Sequence, residues 1–305
     1  MKILGIGLSG LVGSRIEELL KDKYQFEDLS LTTGVDITDS EKTLSLVTSS
    51  NASLVLHLAA KTDVNGCEED KKEDIKILGY KDIGKQEEEF KIKKTAWAVN
   101  VLGTKNIVEA CIKSGKKLIY ISTDFVFDGK KEKPYIEKDS PNPVNWYGRT
   151  KYEGEKLVAK SNLPWMILRI AYPYRANFPR RDFVRVLIDK LENREKLKLV
   201  TDHIMTPTFV DDLSTVLDKI IESDLTGVFH AVGSQFVSPL EAGVIISNFF
   251  DFDKNLLQQT TREEFFKNRA LRPFNLALKN DKIQKLGIKM KTFEEGLGEI
   301  KKQLT

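Results

Sequence analysis

The chain has 305 residues, with 48 Lys and Arg against 45 Asp and Glu, a net charge of +3. That length suits one large domain or two closely joined ones, and so small an excess of charge gives no field that would draw nucleic acid or an anionic membrane. Two cysteines, Cys67 and Cys111, are too few for a disulfide framework and form no CxxC pair, so both are expected as reduced thiols.

The start, "MKILGIG", is an apolar run that breaks at glycine without the long apolar region and cleavage site of a signal peptide. No stretch approaches the ~18 apolar residues a membrane helix needs. A soluble, cytoplasmic protein is the expectation. "KILGI" then reads as a first strand and "LVGSRIEELL" as the helix after it, with Val12, Ile16, Leu19 and Leu20 as its apolar stripe. "SLVLHLAA" (53–60) and "KKLIYIST" (116–123) are dense apolar runs of strand length, typical of strands covered on both faces. Between them "WAVNVLGTKNIVEACIKSG" has helical period and ends at Gly115, a C-cap. "WMILRI" (165–170) and "GVFHAVG" (227–233) repeat the strand pattern. Short strands alternating with helices predict a doubly wound parallel α/β sheet.

The stretch from Glu68 to Lys94 is rich in charge and weakly periodic, and reads as a solvated or partly disordered surface insertion, with a lid or an oligomer contact as the alternative. From about Ala171 the pattern changes to loops and amphipathic helices with few strands. The predicted division is a dinucleotide-binding domain over 1–170 and about 206–232, and a smaller, mainly helical substrate domain over 171–205 and 233–305.

"GIGLSGLVG" offers two glycine registers, Gly5, Gly7 and Gly10 or Gly7, Gly10 and Gly13. The second leaves a full strand before the turn and is preferred. Such a turn lets backbone approach a pyrophosphate at a helix N-terminus, so Gly7, Ser9, Gly10, Leu11, Val12 and Gly13 are the expected cofactor-binding residues here. A fold that prefers NAD places an acid about 20 residues past the glycines. Thr32 and Thr33 stand in that region, with Glu27 or Asp28 as the acid if the strand ends earlier, and Arg15 is placed to reach a 2′-phosphate. NADPH is expected, with NADH as the alternative.

In "WYGRTKYEGEK" (146–156), Tyr147 and Lys151 are spaced to share one helix face. An ammonium one turn from a phenol lowers its pKa from the usual value near 10. Ser122, Thr123 and Asp124 follow a strand, at the edge where the ligand crevice of a parallel sheet opens. A threonine hydroxyl there would hold a substrate carbonyl beside the phenol, for reduction by hydride from a nicotinamide. His57 and His230 read as buried packing residues and His203 as a loop residue near substrate. The cluster Arg175, Arg180, Arg181 and Arg185 is either a nucleotide-diphosphate contact or a solvated basic loop.

Together the glycine turn and the YxxxK pair resemble the extended branch of the short-chain dehydrogenase/reductase superfamily. Within it, "HLAAKTDVNGCE" (57–68), "ISTDFVFDG" (121–129), "NPVNWYGRTKYEGE" (142–155), "MTPTFVDDLS" (205–214) and "RPFNLALKNDKI" (272–283) resemble, in order, segments of the dTDP-4-dehydrorhamnose reductase family. That resemblance implies Tyr147 as proton donor, Lys151 as its tuner and ribose ligand, and Thr123 on the 4-keto oxygen. It implies Ala59, Ala60, Lys61 and Ser122 along the cofactor, Asn100 supporting the lysine through water, and Asp36 and Ile37 at the adenine. Asp124 and Arg272 would face the sugar nucleotide. Ile6, Asn65 and Phe125 depart from common family residues, and the segment between Cys67 and Asn100 is roughly twenty residues longer than the usual connection. The implied function is NAD(P)H-dependent reduction of dTDP-4-dehydro-L-rhamnose. The alternatives are a sugar-nucleotide epimerase or dehydratase, or a cofactor-binding regulatory subunit of the kind that modulates methionine adenosyltransferase. A nucleotide sugar and a second copy of the chain are the expected partners; nucleic acid, membrane and metal are not.

Overall fold

The computed structural model describes residues 1–221 and 223–304. The first elements are β1 (Lys2–Ile6), α1 (Gly13–Leu20), β2 (Gln25–Leu29), α2 (Ser40–Ser49), β3 (Leu54–His57), α3 (Val64–Leu78) and α4 (Ile83–Lys93). There follow α5 (Thr104–Ser114), β4 (Lys117–Thr123), α6 (Trp146–Ala159), β5 (Trp165–Ile170), β6 (Pro173–Tyr174), α7 (Phe183–Glu192) and β7 (Leu197–Val200). The last are β8 (Thr208–Phe209), α8 (Val210–Ile221), β9 (Gly227–His230), α9 (Pro239–Phe250), β10 (Leu257–Thr260), α10 (Arg262–Phe265), α11 (Asp281–Gln284) and α12 (Phe293–Leu304).

Six strands pair in parallel in the order β2-β1-β3-β4-β5-β9. The two-residue period of each strand sorts its side chains onto two faces. Ile119 and Ile121 join Ile16, Leu213 and Leu217 on one face, while Leu118 and Tyr120 join Val47, Ile107 and Val158 on the other. Burying each such side chain contributes about 1.5–3 kcal/mol, which is why the central strands read as unbroken apolar runs. Chain order reverses at β1, where β2 lies on one side and β3 on the other, and ligand crevices open at the carboxyl ends of strands there.

Two details of the sheet's helices differ from the sequence reading. Leu19 lies at the edge of the α1 stripe and is exposed, leaving Val12, Ile16 and Leu20 to pack. The helix after Trp97 starts with a π-helical turn, Ala98–Gly103, before α5 proper; such turns make room for a side chain inside a helix. Gly115 caps α5 in the left-handed region, as expected.

The 68–94 segment is neither open coil nor a loose surface patch. It forms the rest of α3 and all of α4, each started by an aspartate, Asp63 and Asp82, whose side chain accepts from the helix backbone. Ile77 and Phe90 are buried against Ala98. Sparse apolar residues hid this: within 68–94 the buried apolar side chains are Ile77 on α3 and Phe90 on α4, a periodic signal too weak to read against the lysines and glutamates. Beyond β5 the chain also holds more strand than expected, in two small parallel pairs, β6 with β8 and β7 with β10. They and α7, α9 and α12 share a separate core around Tyr174, Leu187, Phe209, Ile246 and Leu297.

Candidate active site

The glycine turn follows β1 directly, so Gly7 is its first residue and Gly5 belongs to the strand, in agreement with the preferred register. Gly7 has φ +86, and a Cβ there would strike the Ala59 backbone at 2.9 Å. Only glycine suits both demands. Gly10 differs: a Cβ on it would meet only the Gly7 carbonyl, at 3.4 Å, and otherwise points into open space above the N-terminus of α1. Ser9 is exposed there, Leu11 is buried, and Val12 and Gly13 open the helix with no side-chain cap taking its free N–H groups. A helix N-terminus that no side chain caps, with a glycine beside it that leaves room for a ligand, fits a pyrophosphate.

Three further strand ends border the same edge. Ala59 and Ala60 follow β3, and Lys61 is fixed by Asn100 in both directions: Asn100 Oδ1 accepts from Lys61 N (2.8 Å) and Nδ2 donates to Lys61 O (3.1 Å). Asn100 also donates to Thr150 Oγ1 (3.0 Å). The π turn presents Asn100 to the β3 loop, so its visible task is to hold that loop and α6 together. Asp36 bonds Thr38 and pairs with Lys94 (2.7 Å), while Ile37 is buried after β2.

At the end of β2, Asp28 accepts from Ser30 Oγ (2.5 Å) and its Oδ1 is buried without a partner. Glu27 is spent on Lys2 and Ser50. Thr32 and Thr33 form the short turn that follows. Arg15 does not turn towards this corner: Nε and Nη2 fork onto Asp211 (2.8 and 2.7 Å) and Nη1 bonds Glu18 (2.7 Å). Helix α1 packs on α8, and that contact commits the guanidinium.

The catalytic candidates meet where α6 is pressed against the end of β4. Asn145 caps α6, accepting from Gly148 N (2.9 Å), and its Nδ2 bonds the Leu271 carbonyl (2.9 Å). A Cβ on Gly148 would lie 2.1 Å from the Phe125 carbonyl, so the close approach needs glycine at this position. Tyr147 is thereby brought beside Thr123, whose hydroxyl acts on the phenol. Lys151, one turn on, donates to the Ile121 carbonyl (2.8 Å) and lies 4.0 Å above the Tyr120 ring.

Burial dominates the electrostatics. It pushes Lys151 down to about 7, against the opposing pull of Glu155. The Tyr147 phenol moves up, first from burial, with Thr123 opposing and the charge of Asp124 adding to it. The expected lowering of the phenol by the lysine is not what sets its shift, which follows burial, Thr123 and Asp124, while the charge of Lys151 acts on His57. Asp124 is pushed up to about 7 by burial. Its Oδ1 accepts from Thr123 Oγ1 (2.9 Å), and its Oδ2 is buried without a partner. Thr123 also accepts from Phe125 N (3.2 Å), so its one proton is given to Asp124 rather than left for a carbonyl.

Ser122 Oγ and His57 Nδ1 are likewise buried without partners. His57 Nε2 bonds Thr104 (3.1 Å), and burial together with the charge of Lys151 pushes the ring down to about 3, which suits packing rather than proton transfer. His230 is similarly low, at about 3. Arg272 reaches this pocket: Nη2 bonds Asn65 (3.2 Å), and the guanidinium lies 5.9 Å from the Phe125 ring and 4.9 Å from that of Phe266. It also borders a cavity of about 300 Å³ shared with Arg262, Phe266 and Arg269.

Of the other arginines, Arg181 and Arg185 pair with Asp189. Arg175 crosses back to the glycine turn, donating to the Leu11 carbonyl (3.2 Å) and Ser14 Oγ (2.9 Å). Nothing in the local sequence marks that contact, nor the arrival of Tyr172 at the pocket, because both depend on how the last third of the chain returns to the sheet; His203, read as a loop residue near substrate, lies against Tyr172.

Comparison with known proteins places these residues in context. The family described as RmlD substrate binding domain matches residues 1–85 and 75–305. The dTDP-4-dehydrorhamnose reductase of Sinorhizobium fredii is 31% identical over 72% of this chain and 76% of its own. Methionine adenosyltransferase 2 subunit beta of Bos taurus is 34% identical over 66% of this chain and 62% of its own. Among solved structures, the dTDP-4-dehydrorhamnose reductase of Bacillus anthracis in complex with NADP superimposes with a TM-score of 0.84, at 27% identity, over 100% of this chain and 99% of that one.

Proposed function

The chain belongs to the dTDP-4-dehydrorhamnose reductase family of extended short-chain dehydrogenase/reductases, and we propose that it is an NAD(P)H-dependent reductase of a 4-keto-6-deoxy sugar nucleotide, dTDP-4-dehydro-L-rhamnose above all. The observation that carries this reading is the meeting of Thr123, Asp124, Tyr147 and Lys151 at the strand edge served by the glycine turn. Gly7, Gly10 and the α1 N-terminus would hold the pyrophosphate. Ala59, Ala60, Lys61, Ser122 and Asn100 would border the rest of the cofactor, with Asp36 and Ile37 at the adenine. When bound, the nicotinamide supplies the hydride that reduces the keto carbon.

The chain's own residues manage the proton. Tyr147 gives its phenolic proton to the carbonyl oxygen as that oxygen gains charge, and Lys151 in its ammonium form stabilises the phenolate left behind. Thr123 orients the carbonyl once Asp124 is protonated, because the carboxyl can then donate to Thr123 Oγ1 and free the threonine proton. Arg272 and its aromatic neighbours suit the diphosphate. NADPH is the favoured cofactor on the hydroxyl-bearing turn at Thr32 and Thr33; Arg15 lends no support, and Asp28 keeps NADH open.

The test is loss of nicotinamide absorbance with purified protein, NADPH or NADH and dTDP-4-keto-6-deoxy-L-mannose. Multiple turnovers are expected, lost by about 10³-fold in Tyr147→Phe. No turnover with either cofactor, despite measured cofactor binding, overturns the assignment. The likeness to the adenosyltransferase subunit favours a second reading, a regulatory cofactor-binding protein. On that reading cofactor binds, no substrate is consumed, and Tyr147→Phe changes nothing.

A further inference from the structure

Tyr172, just past β5, has φ +40, a conformation an aromatic residue adopts only under constraint. Strain of that kind persists where surrounding contacts over-determine it, and it gathers at ligand sites. The constraint is visible on the side chain. Tyr172 Oη lies 2.7 Å from His203 Nε2, and His203 Nδ1 lies 2.7 Å from the Pro273 carbonyl. A carbonyl only accepts, so Nδ1 carries the ring proton, Nε2 is a bare lone pair, and the Tyr172 hydroxyl donates to it. His203 is 1% exposed, and burial holds it down at about 4, so the neutral ring persists at physiological pH.

With its proton spent on His203, the phenol oxygen of Tyr172 offers lone pairs alone. It offers them into the pocket just described. The Phe125 ring stands 6.5 Å from Tyr172 and 5.7 Å from Tyr147, so the two tyrosines flank one aromatic wall. The charges of Asp124 and Arg272 both act on Tyr172. Tyr172 itself is partly exposed, and the mechanism above makes no use of it.

We propose that Tyr172 is a specificity-determining residue that accepts a hydrogen bond from a hydroxyl of the hexose ring, and that His203 is the positioning residue that turns its proton away from the sugar. The inference rests on the sugar-nucleotide reading above. A site built to accept from a hydroxyl favours a sugar that carries one over a sugar, or a bare nucleotide, that does not.

The test is calorimetric titration of the cofactor-loaded protein with dTDP-L-rhamnose and, separately, with dTDP, alongside steady-state kinetics. Tyr172→Phe is expected to weaken dTDP-L-rhamnose about 5- to 20-fold and leave dTDP unchanged, raising KM while kcat stays within about threefold. His203→Leu is expected to match it, the double variant to be no worse than either, and His203→Gln, whose carboxamide can both donate to Pro273 and accept from Tyr172, to restore binding. Wild-type affinity for dTDP-L-rhamnose in Tyr172→Phe, or equal weakening of dTDP, overturns the proposal. So does a wild type that binds the sugar nucleotide no better than dTDP. A wild type that shows the sugar increment yet never turns over sinks the reductase reading alone, and Tyr172 is then judged on binding.

Discussion

Three acids of α3, of which Asp74 is fully buried, and the buried acid just past β4 are used in opposite ways. Glu68, Asp70 and Asp74 are spent on the protein itself: Glu68 accepts from Trp146 N (2.7 Å), Asp70 from Lys61 Nζ and Ala96 N (2.6 and 2.7 Å), and Asp74 from Trp97 N and the Trp146 indole (3.1 and 2.6 Å). Asp124 Oδ1 accepts from its own neighbour Thr123, and its other oxygen is buried without a partner. Asp74 also leaves Oδ1 without a partner, but its other oxygen carries two donors from two segments. The 68–94 segment thus clamps the start of α6, where Tyr147 sits, while Asp124 and Ser122 at the end of β4 each keep a buried polar atom without a partner. Unsatisfied polar groups cost stability, and native proteins keep them where function uses them.

The contrast predicts that pocket substitutions cost activity and α3 substitutions cost stability. The largest effect is expected for Lys151→Met, which removes the ammonium that in the proposed mechanism would stabilise the Tyr147 phenolate: a fall of about 10³-fold in kcat/KM, read by the absorbance assay. Next is Asp124→Asn. The carboxyl rises from 3.8 to about 7 on folding, so the folded state binds a proton the unfolded state does not, and stability present below pH 3.8 is lost as pH rises through 7. Asparagine escapes that loss. Its stability advantage over wild type should grow from pH 4 to pH 7 and then level off, reaching at most about 4 kcal/mol, in urea titrations at each pH. An advantage that is flat with pH contradicts the buried, shifted carboxyl.

Asp74→Ala should do the reverse of Asp124→Asn, costing roughly 2–4 kcal/mol by leaving the Trp146 indole and Trp97 N–H without an acceptor, with a change in tryptophan emission. A variant as stable as wild type would show that the clamp is decoration. The smallest effect is expected for Arg15→Gln. Its guanidinium is committed to Asp211, so the ratio of kcat/KM with NADPH to that with NADH should move less than about twofold. A larger shift towards NADH would return Arg15 to the cofactor.

The sequence by itself determined the sheet and the chemistry carried by short spacing. Alternating apolar runs placed its strands, the glycine turn sat at the β1–α1 junction, and Tyr147 and Lys151 lay one turn apart, because periods of two and 3.6 residues and the ends of strands are local facts written in neighbouring residues. Local pattern failed where few apolar residues bear a whole element, as in α3 and α4, and in the short strands of the last third. Charges could not be read at all. The phenol expected to be lowered is raised, Thr123 gives its proton to Asp124, and Arg15 faces Asp211, since each outcome is set by burial and by partners far along the chain. Tertiary structure alone brought Asn100 to Lys61, Arg175 to the glycine turn and His203 to Tyr172, because desolvation and hydrogen-bond choice depend on what the fold packs around a group, which no stretch of neighbours records.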